Sequence, residues 1–250
     1  MPSTLLVVPC YNEAARLDAD AFRHAIAAQS ELSLLFVDDG STDATASRLE
    51  ALASDPSGRI AVLRLERNRG KAEAVRRGML EAARLGSVYA GYWDADLATP
   101  LDAVPEFAAL LDQFPEVDLV LGSRVQLLGR RIERRAIRHY LGRLFATAVS
   151  LVLGIPVYDT QCGAKLFRMN PRVVSIFQTP FRSRWIFDVE ILARYLQICG
   201  RRHAGTHIHE LPLRCWVDVG GSKLRPSSFV RAFFELLAIA RDDRRRPQPR

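Results

Sequence analysis

Cysteine is scarce in this chain. Cys10, Cys162, Cys199 and Cys215 are scattered over 250 residues, with no Cys-x-x-Cys pair and no histidine at zinc-ligand spacing. A disulfide framework and a structural zinc site are excluded on that count, and a reducing cytosol is the expected setting. Long apolar runs are missing as well. The longest weakly polar stretch, Leu144–Ile155, would form a helix of about 18 Å at 1.5 Å per residue, against roughly 30 Å of bilayer hydrocarbon, so it is expected to pack rather than span. The N-terminus enters an apolar strand within four residues of Met1, without the basic start and small-residue cleavage site of a secretory signal, and secretion is not expected. No internal repeat and no recognised nucleic-acid motif is present.

What the chain has is a 48% hydrophobic, 25% charged composition and a formal charge of +7. That is enough to bury one sizeable core, and the positive balance favours an anionic partner: nucleic acid, an acidic membrane or a phosphorylated substrate.

Apolar runs of strand length alternate with helix-like stretches. Strands are expected at Thr4–Pro9, Leu32–Val37, Ile60–Leu65, Val88–Trp93 and Asp118–Leu121, with helices at Glu13–Ala28, Asp43–Ala53, Lys71–Leu85 and Leu101–Gln113 between them. This alternation predicts an α/β fold with a mainly parallel central sheet flanked by helices. Asn12 and Ser41-Thr42 stand where helix caps belong. After Gly122 come a basic stretch, the apolar helix, a strand at Thr160–Phe167, helices at Pro171–Phe177 and Phe187–Cys199, a strand at His207–Trp216 and a helix at Ser227–Arg241. One domain, residues 1–241, is expected, followed by a disordered basic tail, 242–250.

The strand ending at Val37 delivers Asp38-Asp39-Gly40-Ser41-Thr42-Asp43, and the strand ending at Trp93 delivers Asp94-Ala95-Asp96. Two strands thus bring carboxylates to the sheet edge where ligands of open parallel sheets bind. Alternate residues of an extended segment point the same way, so Asp94 and Asp96 suit one shared cation, and oxygen ligands favour Mg²⁺ or Mn²⁺ over zinc. A lone Asp-x-Asp is commonly a solvated loop, and an acidic pair after a strand also serves phosphorylated receiver domains. Such a receiver would have no use for the second half of this chain.

In order along the chain stand Val8-Pro9-Cys10-Tyr11-Asn12-Glu13, the Val37–Asp43 segment, Asn68-Arg69-Gly70-Lys71, Asp94-Ala95-Asp96 and Gly122-Ser123-Arg124. Together they resemble the family 2 inverting glycosyltransferases, which have the GT-A nucleotide-binding fold. Asp159-Thr160-Gln161-Cys162-Gly163-Ala164-Lys165-Leu166-Phe167, Trp185-Ile186-Phe187-Asp188-Val189-Glu190 and Gly221-Ser222-Lys223 look like the branch that glucosylates dolichyl phosphate. The resemblance implies a nucleotide-sugar-binding half, residues 4–121, and an acceptor-binding half, 122–241, with strands and helices of the C-terminal part on the acceptor side.

By the same resemblance, Pro9, Tyr11, Glu13, Asp38, Asp39, Lys71 and Asp94 would hold the donor, with Asp38 reading the base edge. Asp94 and Asp96 would be catalytic through the metal bridging the diphosphate. Arg124, Arg135 and Lys223 would hold the acceptor phosphate, Arg134 or Arg138 replacing Arg135 if the register slips, and Asp159 is a further candidate for orienting the acceptor or a lysine. Two departures matter. Ala98 stands where the mannosyl branch offers a metal-contacting glutamine, which favours glucose from UDP-glucose over mannose from GDP-mannose. Ala72-Glu73 follows Lys71 where glycine is common, so a close backbone approach there is not expected.

Arg124, Arg130, Arg131, Arg134, Arg135, Arg138 and Arg143, opposed only by Glu133, precede the apolar helix at once. An anionic headgroup beside an apolar tail accounts for both features, so a polyprenyl phosphate acceptor is expected. The protein is then peripheral on the cytoplasmic face of an anionic membrane. A non-lipid acceptor would make the arginines incidental, and a basic nucleic-acid-binding domain is the non-enzymatic alternative; no nucleic-acid partner is expected.

Overall fold

The computed structural model describes residues 4–133, 136–219, 232–239 and 241, without the side chains of residues 136–139. Its centre is a seven-stranded sheet in the order β3-β2-β1-β4-β7-β5-β8. The strands are β1 (Thr4–Cys10), β2 (Leu32–Asp38), β3 (Ile60–Arg64), β4 (Tyr89–Trp93), β5 (Leu119–Ser123), β7 (Ala164–Arg168) and β8 (Ile208–Pro212). Every pairing is parallel except those of β7, which runs antiparallel between β4 and β5. The expected α/β fold with a mainly parallel sheet is what the chain forms.

The period of two decides which residues meet which helices. Leu5 and Val7 of β1 share a cluster with Val75, Met79 and Ala82 of α3 (Lys71–Arg84). Leu6 and Val8 join Phe22 and Ile26 of α1 (Ala19–Ala28), Leu49 and Leu52 of α2 (Thr45–Ala53), and Phe107 and Leu111 of α4 (Val104–Gln113). β2 is buried along its whole length, as a strand covered on both faces must be.

Several boundaries differ from expectation. The first helix begins at Ala19, capped by Asp18, rather than at Glu13. Asn12 takes a left-handed φ of 52° and uses its side-chain oxygen on the Thr42 amide, 2.9 Å away, so it braces a loop instead of capping a helix. Ser41 and Thr42 are not caps either: α2 starts at Thr45, whose amide donates to Asp43. A short 3₁₀ turn, Leu101–Ala103, precedes α4. The strand expected from Thr160 starts only at Ala164.

The apolar helix is longer than expected. α5 spans Ala136–Leu153 and takes up part of the basic stretch; at about 27 Å, neither it nor any helix among the described residues is long and apolar enough to cross a membrane. α6 (Pro171–Phe177) and α7 (Phe187–Cys199) lie where expected. The stretch His207–Trp216 is not one strand. His207 closes a short helix, α8 (Ala204–His207), β8 follows, and after a break β9 (Cys215–Val217) pairs in parallel with an unanticipated strand, β6 (Arg131–Glu133). Three-residue strands carry no periodic signal. Residues 232–239 and 241 are helical; the remainder of the expected C-terminal helix and the tail 242–250 lie outside the described residues.

Candidate active site

At the carboxyl ends of β1, β2, β4 and β5 the chain leaves a cavity of about 630 Å³. Its wall includes Pro9, Tyr11, Glu13, Asp39, Lys71, Asp94, Asp96, Arg124 and Asp159, so nine positions singled out from the sequence, spread over 150 residues, meet in one place. Arg135 and Lys223 lie outside the described residues, as does the side chain of Arg138.

The loops around the cavity brace one another. Asn12 donates its amide to Ser41 Oγ at 3.1 Å and Glu13 its amide to Thr45 Oγ1 at 2.8 Å, locking the loop after β1 to the loop after β2. Asp39 accepts from the amides of Arg69 and Gly70 at 2.8 and 2.7 Å. That fixes the entry to α3 and aims Lys71 inward. Burial pushes the Asp39 carboxyl up, against the pull of those two amides. Gly40 sits at φ +67°, and a β-carbon there would stand 2.6 Å from the Arg67 backbone, so the Asp-Asp-Gly turn needs glycine on both counts.

Asp38 does not join the cavity wall. Its side chain is fully buried, Oδ1 receives the Ser41 amide at 2.9 Å, and Oδ2 has no hydrogen-bond partner. Of the pair, Asp39 and not Asp38, expected to read the base edge, lines the cavity, and the Asp39 oxygens serve the loop backbone. Glu13 is engaged too, by Arg16 at 2.9 and 2.6 Å. Arg16, which the sequence did not single out, also lines the cavity and feels the charges of Asp96 and Asp94.

The Asp94–Asp96 turn is held from beneath by the buried Trp93 indole, which donates to the Thr99 carbonyl at 2.7 Å. Leu97 adopts a φ of 52°, uncommon for a branched residue. Lys71 Nζ is hydrogen-bonded to Asp94 Oδ1. Burial alone pulls the Lys71 ammonium down, but Asp94, Asp188 and Asp96 outweigh it and hold its pKa above that of an ordinary lysine. Burial, then the Asp94 charge, pushes the Asp96 carboxyl up.

Asp96, pushed up by burial and by its neighbour Asp94, makes with Asp94 a donor set that a divalent cation would relieve. No third acidic, histidine or cysteine group joins them among the described residues. This suits Mg²⁺ or Mn²⁺, which take one or two carboxylates and complete their shell with phosphate and water.

A second array faces the same cavity. Arg124 grips Asp159 through Nε at 2.6 Å and Nη2 at 2.8 Å, while its amide donates to the same carboxylate. Burial opposes the Arg124 charge, but Asp159 outweighs it and keeps the guanidinium ionised. Glu210 on β8 receives the amides of Tyr158 and Asp159, both at 2.8 Å.

Behind this array lies Lys165, wholly buried, which donates to the carbonyls of Thr160 and Cys162 at 3.0 and 2.6 Å and to Asp188 at 2.6 Å. Tyr92 donates to the same Asp188 oxygen. The sequence did carry a signal for this group: a lysine inside the apolar run Ala164–Phe167, at a position the strand buries, needs a fixed counter-charge. Cys10, by contrast, is pushed up by burial and by nearby Glu13 and Asp38, and is a packed filler.

An α/β sheet with paired carboxylates at its carboxyl edge and an arginine–aspartate pair in the same cavity has the architecture of a GT-A glycosyltransferase. Comparison with known proteins bears this out. The Glycosyl transferase family 2 description matches residues 5–172, and the chain belongs to that family.

Similar curated proteins include a dolichyl-phosphate beta-glucosyltransferase of Dictyostelium discoideum, 34% identical over 237 residues, covering 89% of this chain and 69% of that protein. Its namesake in Saccharomyces cerevisiae is 32% identical, covering 88% and 68% respectively. Among solved structures, glucosyl-3-phosphoglycerate synthase of Mycobacterium tuberculosis bound to UDP superposes with a TM-score of 0.68 at 19% identity, over 96% of this chain and 80% of that one. A mannosyltransferase of Pyrobaculum calidifontis with GDP-mannose and Mn²⁺ gives 0.64 at 19% identity, over 99% and 66%.

Proposed function

We propose that this chain is an inverting, divalent-cation-dependent hexosyltransferase that moves glucose from UDP-glucose to a polyprenyl phosphate of the dolichyl type. The observation that carries this reading is one cavity holding both the Asp94, Asp96 and Lys71 group and the Arg124–Asp159 pair. The dolichyl-phosphate beta-glucosyltransferase relatives supply the substrate class.

In this reading an acceptor phosphate oxygen forms a bond to the anomeric carbon as the bond to UDP breaks, and the electron pair leaves with the diphosphate. The second pKa of a phosphate monoester is about 6, so the nucleophile is already ionised near neutrality and needs no strong base. Alignment and stabilisation of leaving-group charge remain for the protein. Asp94 and Asp96 would hold Mg²⁺ or Mn²⁺, whose positive charge favours departure of the diphosphate. Lys71 adds a fixed ammonium beside them, and Asp39 holds the loop that carries it. Arg124, with Nε and Nη2 taken by Asp159, would meet the acceptor phosphate through Nη1; Arg135 and Lys223 remain proposed partners for the same group.

The acceptor's lipid tail calls for a membrane surface. Tyr140, Leu144 and Leu151 are 73%, 71% and 80% exposed and fall within about 40° on one face of α5 at 100° per residue; Ala146, Val149 and Leu153 bury the opposite face. We place the protein peripherally at the cytoplasmic face of an anionic membrane. Its four free cysteines agree with a reducing compartment.

The test is a donor panel. Labelled UDP-glucose, UDP-galactose, UDP-N-acetylglucosamine and GDP-mannose would each be offered with a short polyprenyl phosphate and Mn²⁺. Lipid-phase label from UDP-glucose above the others supports the proposal, GDP-mannose in first place replaces the sugar, and absence of lipid-linked product with every donor removes the acceptor.

A further inference from the structure

Among the described residues, four buried side-chain polar atoms have no hydrogen-bond partner: Asp38 Oδ2, Ser123 Oγ, Thr160 Oγ1 and Gln161 Nε2. Three of the four belong to one neighbourhood. Ser123 precedes Arg124, whose amide and guanidinium both bind Asp159, and Thr160 and Gln161 follow Asp159 directly. Thr160 and Gln161 also line the cavity. Native structures seldom leave such groups unpaired, and each exception calls for an account.

The backbone that carries these groups is held on several sides. Lys165 holds the carbonyls of Thr160 and Cys162, the Gln161 amide donates to Asp159 Oδ1 at 3.1 Å, and Glu210 holds the Asp159 amide. Two residues past Gln161, the Gly163 carbonyl accepts the Asp94 amide at 3.2 Å. Thr160 and Gln161 therefore sit on a segment braced from Arg124–Asp159 at one end to Asp94 at the other, between the residues assigned above to the acceptor and to the donor diphosphate.

Their chemistry fits that position. A carboxamide and a hydroxyl are neutral and between them donate and accept, as sugar hydroxyls also do. An anion would be met by Arg124 or Lys71, and the Asp159 charge beside these groups is already cancelled by Arg124.

We propose that Thr160 and Gln161 read the hydroxyl groups of the transferred sugar and set which nucleotide sugar the enzyme uses. This rests on the donor reading above. A site built to hydrogen-bond a hydroxyl rejects analogues that misplace it, because its own polar groups are then left buried and unpaired.

The test compares the wild type with Gln161→Leu and Thr160→Val, both close in shape and unable to make the bond, and with Thr160→Ser, which keeps the hydroxyl. Calorimetry in Mn²⁺ would compare UDP with UDP-glucose. Transfer kinetics would compare UDP-glucose with UDP-galactose, which differs in the orientation of one hydroxyl. For Gln161→Leu and Thr160→Val, kcat/KM for UDP-glucose should fall at least tenfold and the preference over UDP-galactose should shrink, with UDP affinity within twofold and melting unchanged; Thr160→Ser should stay near wild type.

Unaltered sugar preference in both disabled variants overturns the inference. So does loss of UDP and UDP-glucose binding in equal proportion, which would assign these residues to the nucleotide or to folding. A wild type that binds UDP-glucose and tells it from other UDP-sugars, yet makes no lipid-linked product, would remove the polyprenyl acceptor while leaving this assignment to the binding ratios.

Discussion

The Asp94 carboxylate occupies the space that Gly163 leaves by having no side chain. A β-carbon on Gly163 would lie 1.9 Å from Asp94 Oδ2, and the two backbones are tied by a hydrogen bond from the Asp94 amide to the Gly163 carbonyl. The Asp94–Asp96 turn after β4 and the segment leading into β7 thus form one unit. Gly163→Ala should push the carboxylate aside; displacements of about 1 Å at a reacting centre cost on the order of a hundredfold in rate. Transferase kcat/KM should fall by about that factor, with the fold retained by circular dichroism. Wild-type kinetics in a folded variant would show that Asp94 does not need this placement.

Arg124 and Asp159 make a prediction about the acceptor. Arg124→Ala should lower kcat/KM for polyprenyl phosphate by about a hundredfold or more while UDP affinity stays within twofold, read by transfer kinetics and calorimetry on the same preparation. Arg124→Lys should rescue poorly, because lysine keeps the charge and loses the planar fork that holds Asp159 through two bonds. A loss confined to UDP binding would reassign the arginine to the donor.

Stability in acid should register Glu73, in the first turn of α3. The Arg76 guanidinium, against the cost of burial and with Arg77 adding to it, holds the Glu73 carboxyl at about 2 instead of 4.5. Arg76 in turn donates to the Phe177 carbonyl at 3.1 Å, tying α3 to the end of α6. A carboxyl depressed in the folded state stabilises it above its unfolded pKa and ceases to do so as pH falls through the folded value. Glu73→Gln should therefore cost on the order of 2 kcal/mol in denaturant titrations at pH 7, and the gap to wild type should narrow between pH 5 and pH 3. A gap independent of pH would mean the ion pairs contribute nothing.

The exposed face of α5 should act together with charge at a membrane. Binding to vesicles containing anionic lipid should be strong at low salt and weaken as salt rises, since basic residues near the surface contribute about 1 kcal/mol each and are screened. Leu144→Ser with Leu151→Ser should weaken it further at fixed salt in a flotation assay. Retention indifferent to both salt and these changes would contradict a peripheral mode.

Much of this was readable beforehand because it is local. The strand-end placement of Asp39, Asp94 and Arg124 follows from apolar runs that stop where charge begins, and α6 and α7 carry Pro171 at a first turn and an apolar period strong enough to fix their ends. Asp38 and Asp39 could not be told apart, since β2 is buried on both faces and its pattern does not reveal which of two successive side chains turns toward the cavity. The pairing of β6 with β9 joins segments more than eighty residues apart by three residues each, and nothing local announces it. The Arg124–Asp159–Glu210 chain is likewise a product of the sheet order, which sets β5 beside β8. Lys165 alone among the missed residues could have been found, as a charge where the strand pattern demands an apolar side chain.

The most direct test of the whole account is the label recovered in the lipid phase after incubating the protein with radiolabelled UDP-glucose, Mn²⁺ and a short polyprenyl phosphate, run side by side for the wild type and Asp96→Ala. The account predicts a lipid-linked glucose product from the wild type, lost on chelation of the metal, and none from a folded Asp96→Ala. Equal product from both proteins, or undiminished product in chelator, would contradict it.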